Sequence, residues 1–401
     1  MRTQPRMNSD SGRRDFLRHA AAVGLAAAFP QRLAGLLAAD AAPEDSWKTF
    51  RNGPELRGVA ARPLPEKLEL LWEMPTPDGV VGTPAILDGR TFVGTLSGDL
   101  LCLDLTSGEE IWKYQALVPP DQNTFVPGFA APIGIAGDLV FAGDDSGVMH
   151  AVDRASGELR WKFESKDQIV GGPTFDDQHV IFGSHDGKLY CLARADGAKA
   201  WEYNTEGPVN GTPVLAGPYT FVTGCDKPVL RIVDTQTGAE HSEAPLRELM
   251  IASAAIVGDL LYFGTDNGTV YAYDWRKHEP VWTYSVPNRQ QQIHSSPAVT
   301  EELVVIGSRD RHLHAIDRKT GEGRWTFQTR AKIDGSPVIA GDRVYFGSSD
   351  RILYGVSLAD GQQVWRHAAG QSVTGSPAIA EGKLVIGTET SSGRVLCFGA
   401  R

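Results

Sequence analysis

A repeat of about 40 residues is the feature that most constrains how this chain folds. Residues 345–365 read YFGSSDRILYGVSLADGQQVW, and residues 305–325 read VIGSRDRHLHAIDRKTGEGRW. A glycine that follows an apolar segment marks each copy, at spacings of 40 to 49 residues: Gly94, Gly143, Gly183, Gly224, Gly264, Gly307, Gly347 and Gly387. A fixed period of this length indicates stacked structural units rather than one irregular domain.

Each unit contains four short apolar segments. In residues 333–368 these are IDGSPVIA, RVYFGSS, ILYGVSL and QQVWRHA. Pairs such as Asp186-Gly187 and Asn267-Gly268 separate the second segment from the third, and they suit the positive φ angles of a tight hairpin. Four antiparallel strands in a unit of this length predict one blade of a β-propeller.

The two ends of the repeat region complement each other. The eighth unit stops at RVLCFG, its third strand, and the missing fourth strand is supplied by LELLWEM, where Trp72 lies 40 residues before Trp112. We therefore predict an all-β fold, an eight-bladed β-propeller of four-stranded antiparallel blades, closed by an N-terminal strand that completes the last blade. Closure of the ring removes exposed strand edges that would otherwise aggregate.

A tryptophan recurs at one position of the fourth strand. A buried Trp covers roughly 150–250 Å², so one per unit is enough to dock each blade against the next. Ser242 takes this position in the fourth unit. The predicted docking residues are Trp72, Trp112, Trp161, Trp201, Trp282, Trp325 and Trp365.

Residues 1–41 have the pattern of a cleavable export signal. The basic stretch SGRRDFLR precedes an apolar run over residues 20–29, and small residues follow. Arg13-Arg14 resembles a twin-arginine signal, with an ordinary secretory signal as the alternative. The apolar run is too short to span a bilayer. We expect a signal at 1–41, an arm at 42–68 and a propeller at 69–401, in a periplasmic or cell-envelope protein without a membrane span after cleavage.

The charge of the chain argues against a nucleic-acid partner. The formal net charge is −10, and residues 1–41 hold six Arg and three Asp, which leaves −13 on the remainder. A body this acidic does not neutralise phosphates.

The ends of the units carry a recognisable motif. D-x-x-[TS]-G-x-x-x-W stands here as DLTSGEEIW, DRASGELRW and DRKTGEGRW. It resembles the pyrroloquinoline quinone (PQQ) repeat family, over about residues 69–398. The resemblance implies one of two branches. One contains quinoprotein alcohol and glucose dehydrogenases, which hold the quinone and Ca²⁺ near the propeller axis. The other contains non-catalytic scaffolds, such as the lipoprotein of the outer-membrane β-barrel assembly machinery.

The residues favour the non-catalytic branch. The sequence has no adjacent cysteine pair and no C-x-x-C-H motif. Cys102, Cys191 and Cys397 share one repeat position where other units have Ala or Gly, so they read as small core residues. His312 and His314 alternate on one strand and could begin a metal site, but the position of His314 is occupied by Tyr in other units, which favours packing. We expect no catalytic residues, no metal and no cofactor, with PQQ and Ca²⁺ as the alternative.

Binding is expected on one face of the ring. The loops ALVPPDQNTFVPGFAAP and SVPNRQQQIHSS join one blade to the next on this face, and long loops of this kind often carry function, although some only tolerate insertion. A hairpin turn with two arginines reaches the same face. The candidate partner-binding residues are Asp121, Gln122, Asn123, Phe125, Arg289, Gln290, Gln291, Gln292, His294, Arg309 and Arg311.

The expected function is that of an exported, monomeric, non-catalytic scaffold that presents this face to a cell-envelope protein or peptide. Two alternatives remain open at the level of sequence. One is a small PQQ- and Ca²⁺-dependent quinoprotein that oxidises alcohols or sugars. The other is a propeller that binds a carbohydrate or another small molecule in its axial channel.

Overall fold

The computed structural model describes residues 44–117, 125–286 and 290–401. The chain divides into two units, Met1–Ala42 and Pro43–Arg401, and the described residues belong to the second. They form 32 strands in eight antiparallel sheets of four. The predicted eight-bladed propeller is confirmed. The predicted signal at 1–41 lies outside the described residues.

Strand order from the axis outwards follows the chain in the first four blades. Blade 1 contains β2 (Ala85–Leu87), β3 (Arg90–Gly94), β4 (Asp99–Asp104) and β5 (Glu110–Gln115). Blade 2 contains β6 (Gly134–Ala136), β7 (Leu139–Gly143), β8 (Val148–Asp153) and β9 (Leu159–Glu164). Blade 3 contains β10 (Thr174–Phe175), β11 (His179–Ser184), β12 (Lys188–Ala193) and β13 (Lys199–Asn204). Blade 4 contains β14 (Val214–Ala216), β15 (Tyr219–Thr223), β16 (Val229–Asp234) and β17 (Glu240–Pro245).

The same order holds in the next three blades, and the last one takes its outer strand from the other end of the chain. Blade 5 contains β18 (Ala255–Val257), β19 (Leu260–Gly264), β20 (Val270–Asp274) and β21 (Glu279–Tyr284). Blade 6 contains β22 (Ala298–Val299), β23 (Leu303–Gly307), β24 (His312–Asp317) and β25 (Gly323–Gln328). Blade 7 contains β26 (Val338–Ala340), β27 (Arg343–Gly347), β28 (Ile352–Ser357) and β29 (Gln363–Ala368). Blade 8 contains β30 (Ala378–Ala380), β31 (Lys383–Gly387), β32 (Arg394–Gly399) and β1 (Glu69–Pro75).

Ring closure occurs where the sequence predicted it. β1 pairs antiparallel with β32, with Trp72 opposite Cys397 and Pro75 opposite Arg394. The N-terminal strand therefore completes the last blade and leaves its third strand without a free edge.

The recurrent tryptophans lie at the blade junctions. The indole N–H of Trp112 donates to the carbonyl of Arg154 in the next blade at 3.1 Å. Its ring covers Gly157, where an added Cβ would lie 2.8 Å from the ring, so only glycine fits. The equivalent indoles of Trp72, Trp161, Trp201, Trp282 and Trp325 donate to Leu105, Arg194, Thr235, Arg318 and Leu358. Trp365 donates instead to Leu68, just before β1, at 3.1 Å.

The junction between blades 4 and 5 is built differently. Ser242 replaces the tryptophan, and Trp275 of blade 5 packs back against Phe221 of blade 4 with ring centroids 5.1 Å apart. In blade 1, Phe92 occupies the position of Phe221 and packs against Trp112 of the same blade. Blade 5 thus supplies an indole that blade 4 lacks.

One detail of the predicted repeat is wrong. In blade 4 the last residue of the second strand is Thr223, which pairs with Leu230, whereas Gly94 pairs with Leu100 in blade 1. The marker of the fourth unit is therefore Thr223, and Gly224 lies one residue beyond it. The shift arises because blade 4 has Thr223 at the position of the glycine in the other blades, and a glycine follows it directly.

The arm follows the inner strands around the axis of the ring. Backbone N–H groups of the inner strands donate to arm carbonyls in four blades: Leu215 to Pro54, Ile256 to Glu55, Val299 to Arg57 and Ile339 to Gly58, at 2.8–3.0 Å. Trp47 pairs with Ile86 of blade 1, and Ile135 of blade 2 donates to Lys48. The arm therefore forms hydrogen bonds with backbone groups of the inner strands in six blades. Without the arm these groups would be unpaired.

The arm buries large side chains in the ring. Trp47 and Leu56 are completely buried, and so is the guanidinium of Arg51. Arg51 donates to the carbonyl of Pro297 at 2.7 Å, and burial lowers its pKa to about 9. In the described part of the chain, no helix has the length and apolar character that a membrane span requires.

Candidate functional site

A polar pocket lies on the ring axis. Its volume is about 400 Å³, and backbone and small side chains from all eight blades line it. Phe50 of the arm is also part of the lining. The larger polar groups in it are His185, Asn210, His294 and Asp334, which belong to loops of the predicted binding face. The arm and the loop face therefore both contribute to the wall of the pocket.

A ladder of hydroxyl groups runs around this pocket. Each hydroxyl accepts a backbone N–H from the preceding blade, at 2.8–3.1 Å: Gly172 to Thr212, Thr212 to Ser253, Ser253 to Ser296, Ser296 to Ser336 and Ser336 to Ser376. A hydroxyl that accepts in this way still has its own proton to donate. The ladder therefore links six blades near the axis and offers donors to the pocket. The sequence analysis missed it, although a hydroxyl residue stands 11 positions before most of the repeat markers, as in Ser336 and Gly347.

Three predicted binding residues meet beside the pocket. Arg309 Nη1 donates to Gln292 Oε1 at 3.1 Å, and His294 Nε2 lies 3.4 Å from the same oxygen. Arg309 Nε also pairs with Asp334 at 2.8 Å. Burial lowers the pKa of His294, and the positive charge of Arg309 lowers it further. Burial alone would raise the pKa of Asp334, but hydrogen bonds from Arg309 and Lys332 lower it.

A second cleft lies next to this group. It has a volume of about 450 Å³ and is lined by Glu248 of the β17–β18 loop, by the turn between β19 and β20 and by the predicted glutamine run. The residues of the turn and the run are Asp266, Asn267, Thr269, Gln290, Gln291 and Gln292. The three glutamines are exposed. The cleft combines carboxylates with amides, and it continues the polar surface around Arg309. We call it the glutamine cleft.

The other predicted residues are not part of this group. Phe125 precedes β6 on the opposite side of the ring and is 71% exposed. Arg311 is exposed in the β23–β24 turn with a φ of 70°. Asp121, Gln122, Asn123 and Arg289 lie outside the described residues.

The pocket lining does not fit PQQ, a quinone that carries three carboxylates, bound together with Ca²⁺. Among the residues that the structure describes, no lysine or arginine lines the pocket, and the one carboxylate in the lining, Asp334, is already paired with Arg309 and Lys332. Within residues 44–117, 125–286 and 290–401, no three His, Cys, Asp or Glu side chains are grouped to hold a metal. Burial raises the pKa of the Cys102 and Cys191 thiols to about 12, which keeps them protonated.

Of the two alternating histidines, His314 belongs to a blade junction. His314 Nε2 lies 3.1 Å from Asp310 Oδ2, and its Nδ1 lies 3.2 Å from the Tyr284 hydroxyl of the preceding blade. His150 repeats this arrangement with Asp144 and Tyr114 at 2.9 Å each. These contacts use both ring nitrogens, so the geometry supports the packing role of His314.

Comparison with known protein families decides the relationship. A family model described as "Outer membrane protein assembly factor BamB" matches residues 66–162, 97–248, 144–294 and 226–401, which together cover the whole propeller. The chain belongs to this family of PQQ-like propellers. The predicted resemblance to PQQ repeats is confirmed.

Individual members of the family share only about a quarter of their aligned residues with this chain. The outer membrane protein assembly factor BamB of Xanthomonas campestris is 25% identical over 264 residues, which is 62% of this chain and 64% of that protein. The protein of the same name from Shewanella oneidensis is 24% identical over 278 residues, 68% of this chain and 59% of that protein. The chain thus spans about three fifths of the length of these relatives.

Solved structures agree on the fold. BamB from Moraxella catarrhalis superposes with a TM-score of 0.67 and 20% identity, covering 84% of this chain and 98% of that one. Quinohemoprotein alcohol dehydrogenase from Comamonas testosteroni gives a TM-score of 0.74 with 13% identity, covering 89% of this chain and 81% of that one. At these identities the likeness concerns the propeller alone.

Proposed function

We propose that this chain is an exported, non-catalytic scaffold that binds an envelope protein or peptide through its loop face. The observation that carries the proposal is the continuous polar surface formed by the glutamine cleft and the group around Arg309. Exposed amides, carboxylates and a guanidinium supply hydrogen-bond donors and acceptors for a polypeptide. Membership of a family described as an outer membrane protein assembly factor supports a partner in the envelope.

The lining of the axial pocket supports a non-catalytic role. The hydroxyl ladder uses its acceptors within the protein. The described part of the lining offers neither the cations nor the free carboxylates that a quinone with Ca²⁺ would need. We propose no bound cofactor. The twin-arginine signal at Arg13-Arg14 remains a proposal too, and a lysine pair at these positions is expected to block export.

Site-specific crosslinking tests the binding face. A photoreactive benzoylphenylalanine at Gln291, on the loop face, is expected to give a discrete crosslinked partner in intact cells. The matched control is the same group at Gln362, an exposed glutamine in the turn between β28 and β29, at the other end of the blade. Equal products at both positions would count against a specific face.

A second measurement tests the enzymatic alternative. Purified protein titrated with PQQ and Ca²⁺ is expected to show no stoichiometric binding and no dye-linked oxidation of alcohols or sugars. Stoichiometric binding with turnover would overturn the proposal.

A further inference from the structure

The repeat provides an internal template for what fills a blade junction. In blade 3, Phe182 and Tyr190 stack with ring centroids 5.5 Å apart, and Phe163 of the preceding blade covers Tyr190 edge-on at 5.1 Å. Blade 7 repeats the cluster: Phe346 and Tyr354 stack at 5.4 Å, and Phe327 of blade 6 covers Tyr354 edge-on at 5.3 Å. Each stacked pair is thus completed by a third ring, an arrangement that aromatic quadrupoles favour.

The junction between blades 4 and 5 has such a pair, but among the described residues no ring of blade 4 covers it; the third ring, Tyr273, comes from blade 5 itself and lies against Phe263 with centroids 6.3 Å apart. Phe263 and Tyr271 stack at 5.3 Å with an angle of 9° between the rings. The residue of blade 4 at the covering position, two after Ser242, is Ala244. Leu246 packs partly into this cluster. Blade 4 therefore lacks two aromatic side chains on the face that it turns to blade 5, and Trp275 replaces one of them.

A cavity remains at this junction. Its volume is about 340 Å³, and its walls include Phe263, Tyr271, Tyr273, Pro245, Leu246 and Pro280. Arg247, Glu248, His278 and Glu279 add charged groups to the lining. An apolar cavity of roughly 150 Å³ is enough to bind benzene, so this one has room for the side chain of Phe or Tyr. We call it the junction cavity.

The junction cavity and the glutamine cleft adjoin each other, because Glu248 lines both. Glu248 accepts hydrogen bonds from the hydroxyls of Thr265 and Thr269, and Asp266 accepts one from the backbone of Leu249. Among the residues that the structure describes, no lysine or arginine pairs with Glu248 or Asp266. The cleft therefore presents negative charge that a basic side chain complements.

We propose that the junction cavity binds an aromatic side chain of a partner polypeptide, and that a neighbouring lysine or arginine of the same segment lies in the glutamine cleft. The aromatic side chain packs against Phe263, Tyr271 and Tyr273, at the junction where blade 4 contributes no covering ring. The basic side chain pairs with Glu248 and Asp266. This assignment rests on the proposed function, since it names the kind of segment that the loop face takes.

Synthetic peptides test the assignment on the purified full chain. The probes are blocked glycine peptides that contain Phe-Lys, Phe-Gly-Lys or Phe-Gly-Gly-Lys, each with a fluorescent label, and binding is followed by fluorescence anisotropy. At least one spacing is expected to bind, and replacing its Phe by Ala is expected to weaken binding tenfold or more. Glu248→Gln is expected to weaken the same peptide several-fold, whereas Glu322→Gln, in an exposed turn at the other end of a blade, is expected to leave it unchanged.

Ala244→Phe supplies the missing ring from the protein itself. A folded Ala244→Phe protein is expected to lose peptide binding. If this variant does not fold, the peptide with benzoylphenylalanine in place of Phe is crosslinked to the unmodified protein, and the modified residues are expected within 245–248 or 271–280. Equal binding of Phe and Ala peptides, undiminished binding to folded Ala244→Phe, crosslinks elsewhere, or no binding by any probe at 1 mM (on the order of −4 kcal/mol) would overturn the assignment. None of these results affects crosslinking from Gln291 to a cellular partner, which tests the proposed function separately.

Discussion

Gly197→Ala tests whether the tryptophans hold adjacent blades together through contact with a glycine. Gly197 has a φ of 74°, and a Cβ placed on it would lie 2.7 Å from the Trp161 ring. The matched control is Gly137→Ala in a turn of blade 2. Gly137 has a φ of 60°, and nothing lies within 4 Å of the added Cβ. The two substitutions share the backbone strain and differ in the contact with tryptophan.

The expected costs follow from these two environments. A left-handed backbone costs an L-residue about 1–2 kcal/mol, and Gly137→Ala is expected to lose about that much. Displacing a packed ring costs a further 1–3 kcal/mol or so, so Gly197→Ala is expected to lose roughly 2–5 kcal/mol. The indole of Trp161 would also move from the Arg194 carbonyl, now at 2.9 Å.

Urea unfolding followed by tryptophan fluorescence measures both variants. Equal slopes against urea are needed for the comparison, because a change in slope reports a change in exposed surface rather than in stability. Equal losses of free energy for the two variants would refute the role assigned to the Trp–Gly contact.

Three other predictions concern a buried histidine, the hydroxyl ladder and the cysteines. Burial lowers the pKa of His150 below its usual 6.5, so the unfolded chain binds this proton at a higher pH than the folded chain does. The free energy of unfolding present above pH 6.5 is therefore lost as the pH falls, by up to about 1.4 kcal/mol per pH unit. A His150→Gln variant is expected to show a shallower loss when unfolding is measured from pH 7 to pH 5. Ser336→Ala removes the acceptor of the Ser296 N–H and is expected to cost about 1–3 kcal/mol, whereas Ser336→Thr, which keeps the hydroxyl, is expected to cost less; equal losses in thermal unfolding would contradict the ladder. A thiol reagent at pH 8 is expected to modify Cys225, which is partly exposed, before the three buried cysteines, and mass spectrometry of the peptides identifies the order: Cys225 first, then, only on unfolding, Cys102, Cys191 and Cys397.

The ring could be predicted from the sequence because every blade repeats the same side-chain pattern. Eight copies of one motif fix four strands each, and the strand around Trp72 has the pattern that the last blade lacks. The shift at Thr223 was missed because a single glycine in T-G matched the motif one residue late.

The site was less predictable. The arm makes its contacts to the inner strands largely through backbone atoms, as between Ile339 and Gly58, and such contacts leave no pattern of side chains in the sequence. The glutamine run and Arg309 did fall on one surface, because both belong to loops on the same face of the ring. The junction cavity could not be predicted from the tryptophan position alone, because its walls come from Pro245 and Leu246 of blade 4 and from the aromatic side chains of blade 5.

The arm also has a consequence for the order of folding. Residues 47–60 emerge early in synthesis, yet they bond to strands as distant as Ile339. Contacts between such remote parts of a chain form slowly, because a long loop must close before they are gained. The central segment of the ring is therefore synthesised first and docks last. Until it docks, the inner strands of the first blades keep unpaired backbone groups.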